Sequence, residues 1–173
     1  MDARQRNGLK DDEPMLTIEV ATHIRAPIAR CFDLARSIDL HVRSAAGTRE
    51  QAIAGTTRGL LGPHQEVTWR ARHFGRWWTL TSRITQLDRP TRFEDVQATG
   101  PFRSFRHRHT FRAVDGGTVM TDEWQHTAPF GPLGWLADRL VLARHMRQLL
   151  ETRNAALKAE AEAEPPQVGR RNT

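Results

Sequence analysis

The segment Phe105-Arg106-His107-Arg108-His109-Thr110-Phe111-Arg112 alternates side-chain character at every step. A strand sends successive side chains to opposite faces. One face then carries Phe105, His107, His109 and Phe111, and the other carries Arg106, Arg108, Thr110 and Arg112. Histidines framed by phenylalanines, with arginines turned away, describe a sheet wetted on one side. Its other side encloses a partly polar interior, as a sheet lining a pocket would.

The turn that follows sets the register. Asp115-Gly116 is a strong two-residue hairpin signal, because both central positions require positive φ. Val114 then pairs with Gly117, which puts Phe111 opposite Met120, His109 opposite Asp122, His107 opposite Trp124 and Phe105 opposite His126. On the outer face Thr110 meets Thr121, Arg108 meets Glu123 and Arg106 meets Gln125, all favourable cross-strand pairs. Upstream, Phe93, Asp95, Gln97 and Thr99 alternate on one face of another strand. A loop from Gly100 to Ser104 would set Thr99 opposite Phe105, Gln97 opposite His107 and Asp95 opposite His109. In that register His109 stands between two carboxylates, Asp95 and Asp122.

With 173 residues the chain is long enough for one domain with a proper core. No apolar run approaches the roughly 20 residues of a membrane helix, so no membrane span is expected. No secretory signal is visible. A lone cysteine, Cys31, excludes an internal disulfide and fits a cytoplasmic protein. The net charge of +6 raises nucleic acid as a partner. Only Lys10 and Lys158 are lysines, however, and the arginines are scattered. No zinc-finger spacing, basic heptads or RNP-like aromatic motif accompanies them, so specific nucleic-acid binding is not expected.

The pattern reads as a disordered leader (residues 1–14), a single ligand-binding domain (15–158) and a flexible tail (159–173). Leu16 to Arg25 alternates as a strand. Pro27 opens a helix with Ile28, Cys31, Phe32 and Ala35 on one stripe, and Ser37 caps a second short helix that Gly47 ends. Strands follow at Arg49–Gly55, Gln65–His73 and Arg76–Leu87, with Gly75 at a tight connection, and then the strands described above. From Leu133 to about Lys158 the spacing is helical, with Leu136, Leu140, Ala143, Met146 or Arg147, Leu150 and Leu157 along one side. The class is α+β. A curved antiparallel sheet with one apolar face wraps a long C-terminal helix, and two short helices follow the first strand.

On these residues the chain resembles the START/Bet v 1-like helix-grip superfamily, in particular its polyketide cyclase/dehydrase-like or SRPBCC branch. The resemblance rests on Phe93, Asp95 and Gln97, on Gly100-Pro101-Phe102, and on Phe105-x-His107-x-His109-x-Phe111. Gly117-Thr118, Asp122, Pro129-x-Gly131 and the early Ala26-Pro27 with Cys31-Phe32-Asp33 add to it. It spans about Leu16 to Leu157 and implies a fold of one strand, two helices, six strands and a final helix. That fold would enclose a cavity for a hydrophobic or amphipathic small molecule. Members include carriers as well as cyclases and dehydratases, so the resemblance leaves enzyme and binder both open. The chain has no tyrosine, so a mechanism that needs a phenol acid is excluded.

Candidate ligand-binding residues are Trp69, Trp78, Trp124 and, further along, Trp135 as aromatic walls, with Asp95, Gln97, His107, His109 and Asp122 as a polar end. Were the protein an enzyme, His109 would be the acid/base, oriented by Asp122 or Asp95 and with its pKa raised by them. The His107-x-His109 spacing also invites a metal. Inward histidines are more often hydrogen-bonded core groups, and no cysteine or third histidine completes the set, so neither metal nor cofactor is expected. Trp77 points away from the cavity and is a candidate homodimer contact. A protein-interaction module using the outer sheet face is the third reading. The arginines of the last helix suggest a membrane-surface or partner role, but the need to cover the sheet favours an intramolecular one.

Overall fold

The computed structural model of the protein describes residues 15–127 and 141–163. The expectations for the leader, for Trp135, for Pro129-x-Gly131 and for the start of the last helix at Leu133 lie outside the described residues.

The chain opens with β1 (Leu16–Ile24), followed by α1 (Ile28–Ala35) and α2 (Ile38–Ser44). Pro27 stands one residue earlier than its spacing suggests, at the cap position, where its carbonyl accepts from the Arg30 and Cys31 amides. The Ser37 hydroxyl accepts from the Leu40 amide at 3.2 Å, as its N-cap role requires. The second helix ends at Ser44, and Gly47 lies within a 3-10 turn, Ala46–Thr48. Six strands follow: β2 (Gln51–Gly55), β3 (Glu66–His73), β4 (Arg76–Asp88), β5 (Arg92–Thr99), β6 (Ser104–Val114) and β7 (Gly117–Thr127). The long helix α3 (Ala143–Glu162) closes the described chain and continues past Lys158, so residues 159–162 are helix and not tail.

Among the described residues, seven strands form one antiparallel sheet in the order β1-β7-β6-β5-β4-β3-β2. Irregularities between β2 and β3 and at two places between β4 and β5 bend it, as extra residues in one strand of a pair do. This is the helix-grip architecture expected from the residue pattern.

The β6–β7 hairpin has the register read from Asp115-Gly116, from Ser104 opposite Thr127 to Val114 opposite Gly117, although of the two loop residues only Gly116 takes a positive φ (75°). Gly117 also has no room for a side chain, since a Cβ there would lie 2.1 Å from the Ile24 carbonyl oxygen. The β5–β6 register differs from expectation by two residues: Asp95 pairs with His107, and Phe93 pairs with His109. The cause is a local clamp. The Gln97 carboxamide donates to the Phe102 carbonyl (2.7 Å) and accepts from the Phe102 amide (3.3 Å). This holds the loop open, and the ladder stops at Val96 opposite Arg106. A two-residue shift is one full side-chain period, so the faces are preserved and only the partners change.

Two apolar clusters fill the space between sheet and helices. In the larger, the Phe32 ring sits edge-on to Phe93 (5.7 Å) and Phe111 (5.4 Å), and Ile24, Met120 and Leu157 join it. The smaller joins Ile18, Phe105, Trp124 and Leu150. Helix α3 lies along β1, with Leu150, Asn154, Leu157 and Ala161 buried. Its polar side chains serve the backbone of that edge strand and the residue beyond it. Arg147 donates to the Glu19 carbonyl (3.0 Å), Lys158 donates to that of His23 (2.7 Å), and Glu162 accepts from the Arg25 amide (2.7 Å). An edge that could pair with another chain is thereby covered. Among the described residues no helix is long and apolar enough to cross a membrane.

Phe32 is fully buried at the junction of α1 with β5 and β6. Truncation to alanine leaves a cavity that the surrounding sheet cannot fill. Phe32→Ala is expected to lower unfolding stability by about 3–5 kcal/mol, read from urea denaturation by tryptophan fluorescence.

Candidate ligand cavity

A cavity of about 730 Å³ lies between the concave sheet, α2 and the start of α3. That volume is in the range of small-molecule sites. Strand alternation supplies its walls: Val67, Trp69 and Ala71 from β3, Leu80, Ser82 and Ile84 from β4, and Phe93 and Asp95 from β5. Phe105, His107 and His109 come from β6, and Trp124 from β7. Of the residues expected to contact a ligand, Trp69, Trp78, Asp95, His107, His109 and Trp124 line the cavity. Gln97 does not, because its carboxamide is engaged with Phe102. Asp122 does not either; it sits behind the imidazoles. Trp78 stands at the rim, 39% exposed, its indole N–H donating to the His73 carbonyl (3.3 Å). Trp77 is exposed on the other face with the Arg70 guanidinium 4.7 Å over its ring.

At the closed end, Asp122 is buried between sheet and helix. Its Oδ1 touches His109 Nδ1 and lies 3.4 Å from His107 Nε2. Both approaches lie off the N–H directions, so they are close contacts more than aligned hydrogen bonds. Its Oδ2 accepts from Asn154 Nδ2 at 2.6 Å, and Asn154 also donates to Thr22 Oγ1 (3.2 Å). Phe93 stacks on the His109 ring at 4.1 Å, and the two imidazoles lie 3.9 Å apart. Trp124 Nε1 donates to His126 Nδ1 (3.0 Å).

The protonation states reverse the sequence expectation for His109. Burial dominates and pushes both imidazoles down, His107 to about 4, despite the neighbouring carboxylates. Burial alone would raise Asp122, yet His109 and His107 together hold it well below the usual carboxylate range. Asp95 is raised, chiefly by desolvation, with His107 and a bond from Ser82 opposing. At neutral pH the cluster is two neutral imidazoles on one buried carboxylate.

Sequence reasoning missed a second polar group at the wider end. His41 stacks on Trp69 (4.1 Å) and its Nε2 lies 3.2 Å from the Glu50 carboxylate. His73 Nδ1 and His145 Nε2 are 3.0 Å apart, joining the end of β3 to α3, and Phe74 of the β3–β4 turn packs on His145. His73 was legible, because it continues the inward series Val67, Trp69, Ala71. Asn154 had a signal too, as the polar member of the apolar stripe Leu150, Leu157 and Ala161. His41, Glu50 and His145 meet only through the tertiary fold.

A bent antiparallel sheet closed by a terminal helix around an apolar hollow with polar groups at both ends is the architecture of a helix-grip domain. The profile of the family described as polyketide cyclase / dehydrase and lipid transport matches residues 15–162, and the chain belongs to that family. No curated protein matches the chain. Solved structures share its fold. The protein TTHA0849 from Thermus thermophilus is 18% identical, with a TM-score of 0.66 over 86% of this chain and 100% of that one. Major latex-like protein 151 from Panax ginseng is 11% identical, with a TM-score of 0.60 over 86% and 99%. The di-domain ARO/CYC BexL of the BE-7585A biosynthetic pathway is 18% identical, with a TM-score of 0.65 over 87% of this chain and 51% of its own.

Two outcomes follow. Asn154→Ala leaves a buried carboxylate without its best-aligned donor, and is expected to cost about 2–3 kcal/mol of stability in urea denaturation. Burial also holds His41, His73 and His145 below their ordinary pKa, with Arg153 adding to the effect on His41 and Glu50 opposing at His41 and His73. Unfolded imidazoles take up protons near pH 6.5. Between that value and the lower folded ones the unfolded chain binds more protons. Stability is therefore full above about pH 6.5 and declines as pH falls through the folded values. Urea midpoints should drop from pH 7.5 to 5, with a shallower slope in His73→Gln/His145→Gln.

Proposed function

We propose that this protein takes up a small hydrophobic or amphipathic molecule in the cavity between sheet and terminal helix. The observation that carries this reading is a hollow of about 730 Å³ walled by Val67, Trp69, Ile84, Phe93, Phe105 and Trp124, with Asp95, His107 and His109 at its closed end. Apolar walls reward burial of a ligand's hydrocarbon at about 25 cal/mol per Å². Asp95, His107 and His109 offer hydrogen bonds to an oxygen at its tip and thereby orient it. The family description, which joins lipid transport with polyketide chemistry, supports a ligand of this class.

A second reading has an observation of its own. Asp122 touches His109 Nδ1, and the ring lines the cavity with Nε2 buried and unpaired, which makes His109 the candidate general base. Such a group could remove a proton next to a ketone and return it to a leaving hydroxyl, the chemistry of a polyketide-type cyclase or dehydratase.

Filling the hollow tests the primary reading. Ala71 is buried on the cavity wall. In fluorescence titrations with 1-anilinonaphthalene-8-sulfonate and a panel of polycyclic phenols, Ala71→Trp should bind at least ten-fold more weakly than wild type, with far-UV circular dichroism unchanged. Equal affinity would place the probes elsewhere and overturn the proposal. His109→Gln separates the two readings: a catalytic base loses turnover while binding persists, whereas in a carrier only affinity responds.

A further inference from the structure

We propose that Asp95, His107 and His109 form a binding site for one divalent first-row transition-metal ion at the closed end of the cavity, with Asp122 as the carboxylate that orients the His109 ligand. The register on which this depends is not the one the loop length suggests. With Asp95 directly opposite His107, and His109 two residues further along the same face, the three side chains converge on one point. One ligand atom from each lies within 4.8 Å of the others. Bonds of about 2.0–2.1 Å in a tetrahedral set hold donors about 3.3 Å apart, so small side-chain rotations close the site.

The surroundings are those of a ligating histidine. Asp122 touches His109 on Nδ1, which turns Nε2, on the opposite edge of the ring, away from it. That Nε2 is buried and without a hydrogen-bond partner. A buried imidazole nitrogen left unpaired is costly unless something else engages it. Asp122 is itself held by Asn154 at 2.6 Å, and Phe93 stacked at 4.1 Å fixes the plane of the ring. A carboxylate set against one nitrogen of a histidine, where a small ring rotation brings the N–H onto it, is placed as the outer support of a metal ligand. Asp122 Oδ1 also lies 3.4 Å from His107 Nε2, which leaves Nδ1 of that ring on the far edge.

Two nitrogens and one carboxylate suit zinc, iron(II) or cobalt(II). Three protein ligands leave coordination positions open, and here all three ligands line the cavity. An oxygen donor on a bound molecule could complete the sphere. The site does not depend on the ligand reading, because a cavity that ignores every apolar probe could still hold the ion.

Chelator-stripped protein, dialysed against Co²⁺, is expected to take up one equivalent per chain, with visible d–d absorption that Zn²⁺ abolishes by displacement. His107→Ala and His109→Ala should each weaken uptake at least 100-fold, and Asp122→Asn by 10- to 100-fold. His73→Gln/His145→Gln should leave it unchanged, which separates this site from the histidine pair at the wider end. His109→Gln, which keeps the ring's volume more closely, serves where the alanine variants do not fold. No stoichiometric uptake by wild type would overturn the proposal. So would undiminished uptake in a His107→Gln/His109→Gln variant whose far-UV circular dichroism matches wild type. Probe fluorescence on the same samples reports the cavity independently.

Discussion

Asp122 is the point at which the sheet, the terminal helix and the polar end of the cavity are tied together. A carboxylate buried this deeply is tolerated only where its charge is satisfied by aligned donors or neighbouring imidazoles. Asn154 comes from the helix, while His107 and His109 come from the adjacent strand. Because Asn154 interrupts the helix's apolar stripe, α3 has one rotational setting and one axial position that bury it against Asp122. The same contact holds the His109 ring with its second nitrogen turned away from the carboxylate. Packing and site chemistry therefore share a single constraint.

Around that junction the molecule divides its polar groups by function. The arginines of β6 stay on the outer face, where Arg108 reaches Glu94 (3.1 Å) and Arg106 reaches Gln125 (3.0 Å). Two of those on the helix donate to backbone, Arg147 to Glu19 and Arg153 to Ala35. Two cationic side chains of the helix, Arg147 and Lys158, thus close the β1 edge. The scattered arginines have an intramolecular use that composition alone does not reveal.

The cavity has two polar ends of different character. The closed end is buried and built from adjacent strands. The wider end joins the β3–β4 turn, α2 and α3 through His41, Glu50, His73 and His145. Neutral imidazoles at both ends are a consequence of burial, which outweighs the carboxylates beside them. The expectation of a charged His109 failed for this reason. Counting neighbouring charges from strand register omits desolvation, and desolvation is the larger effect here.

What the amino-acid order alone determined was whatever depends on local geometry. Alternation assigned inner and outer faces, Asp115-Gly116 set the β6–β7 register, and Ser37 capped its helix, because each follows from backbone dihedrals within a few residues. The partner of His109 across β5, the engagement of Gln97 with its own loop and the retreat of Asp122 behind the imidazoles were not legible. Nor was the meeting of His41 with Glu50. Those depend on how a loop closes, how far a sheet bends and which groups lose water. Such quantities arise only when segments distant in the chain pack against one another.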